Sequence, residues 1–482
     1  MRWRYILNII GILTFFFGLT MMIPLLVGQY YHDQSVIPLL KSMGISVAVG
    51  LGVFFIFKSG KAEVISQREG MAIVTIGWTA VGLFGALPFY FASGFESFVD
   101  AVFESVSGFT TTGASILTNI EALSKGLLFW RSFIQWLGGM GIIVLSLAIL
   151  PFLGVGGMQL YKAEVPSPVP DKLKPRIRDT AMILWKVYAL ISLAQTVLLL
   201  LGGMSLYDAL CHTFTTMPTG GFSTKNASIA HYDSIYFDCV FIFFMIMAGI
   251  NFSLHYQLLK GKPLVFWRDS ECRFFLGTVL LLTFVVSINL YGSVYETIGN
   301  ALRYGAFQVV SIITTTGFAT ADYEKWPAMS QLILLLCMFI GASAGSTGGG
   351  MKCLRIMLCF KYCYRELFSL VHPRAVSPIK IGGKVVPDDV MRSIVGFLAL
   401  YMGLFALSSV ALAGLGVDFK TSFSAIAASI GNIGPGFGLV GPVQNYAHIP
   451  DLGKWLLIWC MLLGRLEIFT VIILVVPEFW RK

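Results

Sequence analysis

The 482-residue sequence predicts an all-α polytopic membrane protein. Four pseudo-symmetric repeats, each a helix, a pore helix, a filter phrase and a second helix, follow two extra N-terminal transmembrane helices. Three observations predict this class. The chain is 56% hydrophobic and only 12% charged, with a mean hydropathy of +0.78. Soluble chains carry about 25% charged residues, so an apolar surface this large needs lipid as its solvent. Ten stretches are long and apolar enough to cross a bilayer core, which takes about 20 residues each. A short phrase also recurs four times: Thr110-Thr111-Thr112-Gly113-Ala114, Pro218-Thr219-Gly220-Gly221-Phe222, Thr314-Thr315-Thr316-Gly317-Phe318 and Gly431-Asn432-Ile433-Gly434-Pro435. Aligned on Gly113, Gly221, Gly317 and Gly434, the copies lie 108, 96 and 117 residues apart.

The expected spans are 5–30, 38–57, 70–92, 127–153, 180–202, 234–259, 274–292, 328–370, 390–416 and 452–477. The run from Tyr5 to Tyr31 is too long for a signal-peptide core and has no Ala-x-Ala site, so it reads as a retained helix. The first two spans stand alone. The other eight form four pairs, each enclosing one phrase, which makes an internal repeat of about 100 residues. The chain thus divides into two N-terminal helices (1–69), pore repeat 1 (70–160), a cytoplasmic linker (161–179), repeat 2 (180–273), repeat 3 with a broken second helix (274–387) and repeat 4 (388–482). The linker carries Pro166, Pro168, Pro170 and Pro175 among charges and reads as a stiff connector. Neither it nor the basic stretch 365–392 is long enough for a soluble domain, so any nucleotide-binding domain belongs to another chain.

Charge sets the topology. The segments on the side of the termini hold 25 of the 34 Lys and Arg residues, the opposite side eight, and Arg465 lies within a span. This asymmetry places both termini in the cytoplasm and the four phrases on the outer side. The net charge of +9 is this cytoplasmic excess, not a nucleic-acid stripe.

Irregular backbone survives at membrane depth only when buried in protein or facing water. Four Gly- and Thr-rich phrases inside helix pairs therefore predict one shared ion-selectivity filter. Glycine turns its carbonyls where other residues cannot, and carbonyls can replace an ion's hydration shell. The candidate ligands are Thr111, Thr112, Gly113, Thr219, Gly220, Gly221, Thr315, Thr316, Gly317, Asn432, Ile433 and Gly434, and the natural guest is a monovalent cation. The stretches ending in Glu104, His212, Gln308 and Ala425 read as pore helices whose negative dipole ends face the ion. Asn432-Ile433 and Gly220 depart from the Thr-Thr pattern, which predicts looser selectivity than in a Thr-Val-Gly-Tyr-Gly channel. Glu96, Asp100 and Glu104 are four apart on one helix face, where they either concentrate cations at the mouth or brace the half-helix.

Span 328–370 is too long for the bilayer, and its middle, Gly341-Ala342-Ser343-Ala344-Gly345-Ser346-Thr347-Gly348-Gly349-Gly350, cannot be a stable helix. It predicts a broken helix with a loop at membrane depth. Gly345, Ser346, Thr347, Gly348, Gly349 and Gly350 are candidate gate residues beneath the filter. Arg465 lies near the midplane of the last span and is a second barrier candidate, repelling cations or donating to loop carbonyls. Gly138, Gly139 and Gly141 read as a close-packing seam, and Asn251 as facing either the pore or a neighbouring backbone. Enzymatic readings fail: the eight cysteines form no C-x-x-C pair and the six histidines no H-E-x-x-H pattern.

Together these residues resemble the TrkH family of bacterial potassium uptake proteins, in the Trk/Ktr/HKT superfamily. The resemblance runs nearly the whole chain. It rests on Trp136-Leu137-Gly138-Gly139-Met140-Gly141, the four phrases, Ala344–Lys352, and Leu463-Gly464-Arg465-Leu466-Glu467-Ile468-Phe469-Thr470. It implies potassium as the substrate ion, held by backbone carbonyls, and no organic cofactor in this chain. It implies a homodimer in the lipid of the inner membrane, no nucleic acid, and a cytoplasmic TrkA-like nucleotide-binding ring as regulator. It also supports loop 341–350 and Arg465 as the permeation barrier. Transport by gated conduction and symport coupled to sodium or protons both fit, and the lack of an evident carboxylate relay favours the first.

Overall fold

The computed structural model describes residues 1–58, 66–92, 94–141, 177–375 and 377–480. Residues 161–176 of the proline-rich linker, the second half of the expected span 127–153 and the C-terminal Arg481-Lys482 lie outside these residues. Among the described residues the fold is helical apart from one small hairpin pairing Lys380–Ile381 with Lys384–Val385.

The N-terminal helices are α1 (Trp3–Thr20), continued after a bend by α2 (Met22–Tyr30), and α3 (Val36–Ile56). α1 and α3 approach closely because Gly11 and Gly50 meet backbone to backbone. The repeats then follow. Repeat 1 is α4 (Gln67–Tyr90), α5 (Phe98–Phe109) and α6 (Lys125–Gly139). Repeat 2 is α7 (Ile177–Leu201), α8 (Leu206–Thr216), α9 (Ile235–Gly249) and α10 (Phe252–Leu259). Repeat 3 is α11 (Ser270–Leu290), α12 (Ile298–Ile313), α13 (Ala328–Ile340) and α14 (Cys353–Val371). Repeat 4 is α15 (Asp388–Gly414), α16 (Phe419–Ile430), α17 (Asp451–Arg465) and α18 (Ile468–Ile472).

The first helix of each repeat is long and apolar, as spanning requires. The short helices α5, α8, α12 and α16, expected as pore helices, have 12, 11, 16 and 12 residues, too few to span. Each starts at a matching cap. Ser97, Ser205, Thr297 and Asp418 accept from the amide three residues on, which satisfies one orphan donor of the first turn. These hydrogen bonds hold the Asp418 carboxyl below its usual value.

The second helices differ from the expected spans. The stretch 328–370 is broken, as its glycines require, between α13 and α14. However, 234–259 and 452–477 are also broken, by bends of 102° and 117°. Continuous hydropathy concealed these bends, because Ile250-Asn251 and Leu466-Glu467 interrupt the helix without interrupting the apolar run.

Candidate functional site

The four phrases converge into one ring with a shared backbone path. Thr111, Thr219, Thr315 and Asn432 have φ of 54°, 58°, 59° and 53°, and Gly113, Gly221, Gly317 and Gly434 have φ of 79°, 73°, 83° and 99°. Two residues on in each copy, the left-handed state recurs, and glycine alone reaches it freely. The amides between turn back to the pore helix. Thr112 and Gly113 donate to Ser107 O, Gly220 and Gly221 to Thr215 O, Thr316 and Gly317 to Ser311 O, and Ile433 to Ala428 O. A trans peptide points its carbonyl opposite its N–H, so these peptides turn their oxygens away from the wall.

The ring closes through its glycines. A Cβ on Gly113 would overlap Gly220 O, one on Gly221 would overlap Thr316 O, and one on Gly317 would overlap Ile433 O. A Cβ on Gly434 would stand 2.7 Å from Thr112 O, completing the circuit back to the first copy. Each glycine thus sits against the carbonyl of the following copy. Beyond the glycines lies a cavity of about 150 Å³ touching Gly113, Gly221, Gly317 and Gly434 and walled by Gln444 and Tyr446.

Polar side chains hold the ring from behind. The position nine residues before each glycine carries Glu104, His212, Gln308 and Ala425. Glu104 accepts from Ser115 Oγ (2.9 Å) and Ile116 N (3.0 Å), His212 Nε2 contacts Ser223 Oγ (3.0 Å), and Gln308 reaches Thr320 Oγ1 (3.5 Å). Glu104 is also ion-paired with Arg131 at 2.6 Å, and Arg131 donates to Ser223 O (3.0 Å), which ties repeat 1 to repeat 2. Gln135 donates to Gly220 O (2.7 Å) in the second copy, and Tyr446 donates to Gly434 O (2.6 Å) in the fourth.

Of the two readings of the acidic residues, the contacts favour bracing. Glu96 precedes α5 and does not share its face. Asp100 is buried against Lys454 (2.6 Å) and Glu104 against Arg131, so both brace the fold and neither offers a free charge at the mouth.

On the pore-helix side of the ring lies the loop between α13 and α14. Thr347 Oγ1 donates to Met217 O (2.9 Å), and Gly349 N donates to Thr315 Oγ1 (2.7 Å). Gly348 stands beside Thr314 O and Gly349 against Gly431 O, with no room for a side chain. Arg465, the last residue of α17, donates to Thr347 O (2.8 Å), Gly138 O (2.5 Å) and Gly139 O (2.7 Å). The loop and the guanidinium therefore join residues of all four repeats under the ring. The glycines at 138 and 139 pack closely, against Phe109 O and Pro218. The seam reading was incomplete, because their carbonyls also receive Arg465. Asn251 caps α10 by accepting from Ser253 N (2.8 Å) and abuts Gly345.

The helix breaks form a second four-fold motif. Gly138-Gly139-Met140-Gly141, Ala248-Gly249-Ile250-Asn251, Gly349-Gly350-Met351-Lys352 and Gly464-Arg465-Leu466-Glu467 occupy equivalent places. Helices α6, α9 and α17 end at the second residue of the motif, and α10, α14 and α18 begin one residue after the fourth. Gly141, Lys352 and Glu467 have φ of 73°, 72° and 62°. Arg465 stands where the other three copies have glycine.

The TrkH profile, described as a cation transport protein, matches residues 40–482. The chain belongs to the TrkH family. It is 43% identical to the Trk system potassium uptake protein TrkH of Salmonella typhimurium, over the full length of both chains. It is 37% identical to the Trk system potassium uptake protein TrkG of Escherichia coli K12, with 99% of each chain covered. The crystal structure of the potassium transporter TrkH from Vibrio parahaemolyticus matches with a TM-score of 0.90 at 40% identity, covering all of both chains. TrkH-family proteins are membrane transporters, not enzymes.

In this TrkH-family chain the filter residues read from the sequence lie in one ring, and Gly345–Gly350 and Arg465 lie together beneath it. Sequence reasoning missed Arg131, Gln135, Lys352 and Glu271, all buried next to the ring or the loop. A signal existed for three of them. Arg131 and Gln135 interrupt an apolar helix, and Lys352 ends a glycine run at membrane depth, where a charge is costly without a partner. Lys352 donates to Gly348 O, and Glu467 pairs with Arg355.

Proposed function

We propose that this chain takes up potassium across the bacterial inner membrane through its single-chain, pseudo-tetrameric filter, gated by loop 341–350 and Arg465. Carbonyls of Thr111, Thr112, Thr219, Gly220, Thr315, Thr316, Asn432 and Ile433 replace the hydration shell of the ion. One observation carries the reading: each filter glycine sits against the carbonyl of the next copy, so four phrases enclose one axis. Curated relatives named as potassium uptake proteins supply the ion. The charge asymmetry supports cytoplasmic termini, with the loop on the cytoplasmic side of the filter. There Arg465 presents a fixed positive charge to an incoming cation, and a TrkA-like nucleotide-binding ring controls a homodimer, each protomer with its own pore.

Conduction is favoured over coupled symport. Among the described residues, the buried carboxylates Glu69, Asp100, Glu104 and Asp238 are paired with Arg2, Lys454, Arg131 and Arg303, and Glu271 accepts from backbone amides. Glu271 alone of these lacks an ion-paired basic partner, so the described residues offer one such buried acid and no relay of acids to carry a coupling proton. Reversal potentials in reconstituted vesicles test the reading. They are expected to follow the potassium gradient alone. A shift driven by a sodium or proton gradient at fixed potassium contradicts pure conduction.

A further inference from the structure

The loop beneath the filter is held at its neck as well as at its tip. Met351 N donates to Phe339 O (3.2 Å), and Cys353 N donates to Ala342 O (3.0 Å), which ties the end of α13 to the start of α14. Gly341 and Gly350 touch backbone to backbone across this neck. The segment is thus a closed Ω-shaped loop whose ends are already joined.

One buried carboxylate serves both ends. Glu271, the second residue of α11, is 8% exposed. Its Oε1 accepts from Ala344 N (2.6 Å) before the glycine run and from Leu354 N (3.2 Å) after it. An acid in the first turn of a helix ordinarily serves that helix, through capping or the dipole. Here Asp269 already caps α11 by accepting from Cys272 N (2.7 Å). Glu69, the first-turn acid of α4, does serve its own helix, accepting from Ser66 N (3.1 Å) in a capping box while also pairing with Arg2. Glu271 reaches away from its own helix into the loop.

We propose that Glu271 is a positioning residue for the gate, a clamp that fixes the neck of the loop to the first helix of repeat 3 and holds the tip beneath the filter. A carboxylate oxygen shared by two amides makes charge-assisted bonds, stronger than bonds between neutral groups. With the neck fixed, the loop opens by tilting as a unit, not by unravelling. The hydrogen bonds broken at the tip then include those of Gly345 with Phe252, Thr347 with Ala248 and Met217, Gly349 with Thr315, and Arg465 with Thr347. The inference rests on the gate reading above and adds the residue that sets the resting position.

The test is thallous-ion or rubidium flux into vesicles holding the full-length chain without its cytoplasmic partner. Glu271→Ala, Glu271→Gln and Arg465→Ala are compared with wild type. Glu271→Ala is expected to raise partner-free flux by about tenfold, as the closed state loses both bonds. Glu271→Gln keeps an oxygen acceptor in place and is expected to stay within about threefold of wild type, since neutral bonds are weaker but still made. Potassium-over-sodium preference should not change in either variant, because the filter ring is untouched; a general packing defect would move it. The double variant with Arg465→Ala should add less than the two single effects multiplied, because both residues hold one closed loop. If Arg465→Ala raises flux and Glu271→Ala does not, the clamp is wrong and the gate stands. If neither raises flux, the gate reading itself fails. Should Glu271→Ala not be recovered folded, Glu271→Asp shortens the reach to both amides and is expected to raise flux by the same mechanism. Wild-type flux in Glu271→Asp overturns the clamp.

Discussion

Two rings of backbone, one above the other, share a four-fold plan and treat it differently. In the filter the four copies keep one conformation: a left-handed Thr or Asn, a middle residue, then a left-handed glycine. At the helix breaks the same four-fold register carries unlike residues. Gly139, Gly249 and Gly350 align with Arg465, and Gly141 and Asn251 align with the charged Lys352 and Glu467. On the proposed function, coordination of one ion on an axis needs equivalent oxygens from all sides, which fits the symmetry of the upper ring. Control needs one side to differ, which fits the longer loop on repeat 3 and Arg465 on repeat 4. Selectivity and gating are then separable by mutation.

The largest effect is expected where the two repeats are riveted behind the filter. Arg131→Met leaves Glu104 buried without its ion pair and removes the bond to Ser223 O. The cost is about 3–5 kcal/mol, read as a fall in melting temperature of the detergent-purified protein or as loss of folded material. An unchanged melting temperature would show that the filter wall does not depend on this pair.

Next comes filter symmetry itself. Gly113→Ser strains a residue at φ 79° and drives a side chain into Gly220 O. Potassium-over-sodium discrimination should fall on the order of tenfold, because the displaced carbonyls no longer match one ion. The same change at Gly434, where a Cβ clears the neighbouring carbonyl by more, should cost less. Ion-flux ratios that rank the two sites in the reverse order would break the ring account.

A response of similar scale but in flux, not in ion ratio, is expected from the lower ring. Arg465→Ala removes three donors and a fixed charge, so partner-free flux should rise by about tenfold, the scale of bonds made by a charged group, with the ion ratio unchanged. A change in ratio without a change in flux would mean that the two rings are not separable. The smallest effect is expected from Glu467→Gly, which relieves a strained φ of 62° but leaves Arg355 without its partner. The net change in melting temperature should be small because the two terms oppose. A large stabilisation would show that the Arg355–Glu467 pair contributes nothing.

The comparison also explains what could be read from the residues. The ring of four phrases was legible because glycine and threonine break an apolar pattern abruptly, and because four copies at similar spacing are hard to produce otherwise. The loop was legible because Gly345–Gly350 cannot continue a helix. The bends at Asn251 and Glu467 were not, since hydropathy averages over them. Yet the motif Gly-Gly-Met-Gly, Ala-Gly-Ile-Asn, Gly-Gly-Met-Lys, Gly-Arg-Leu-Glu was present in the same repeat frame. Aligning the repeats beyond their filters would have exposed both bends and set Arg465 opposite three glycines. The acidic residues misled for another reason. Spacing gave Asp100 and Glu104 a shared face, but their partners Lys454 and Arg131 come from other helices, and no local pattern reports that.

The central claim is that four unlike phrases enclose one ion path, and ion density tests it most directly. Crystals of the full-length protein soaked in rubidium should show anomalous peaks on the axis bounded by Gly113, Gly221, Gly317 and Gly434, near-equidistant from the carbonyls of all four copies. Rubidium bound off that axis, to one or two copies only, would contradict the account.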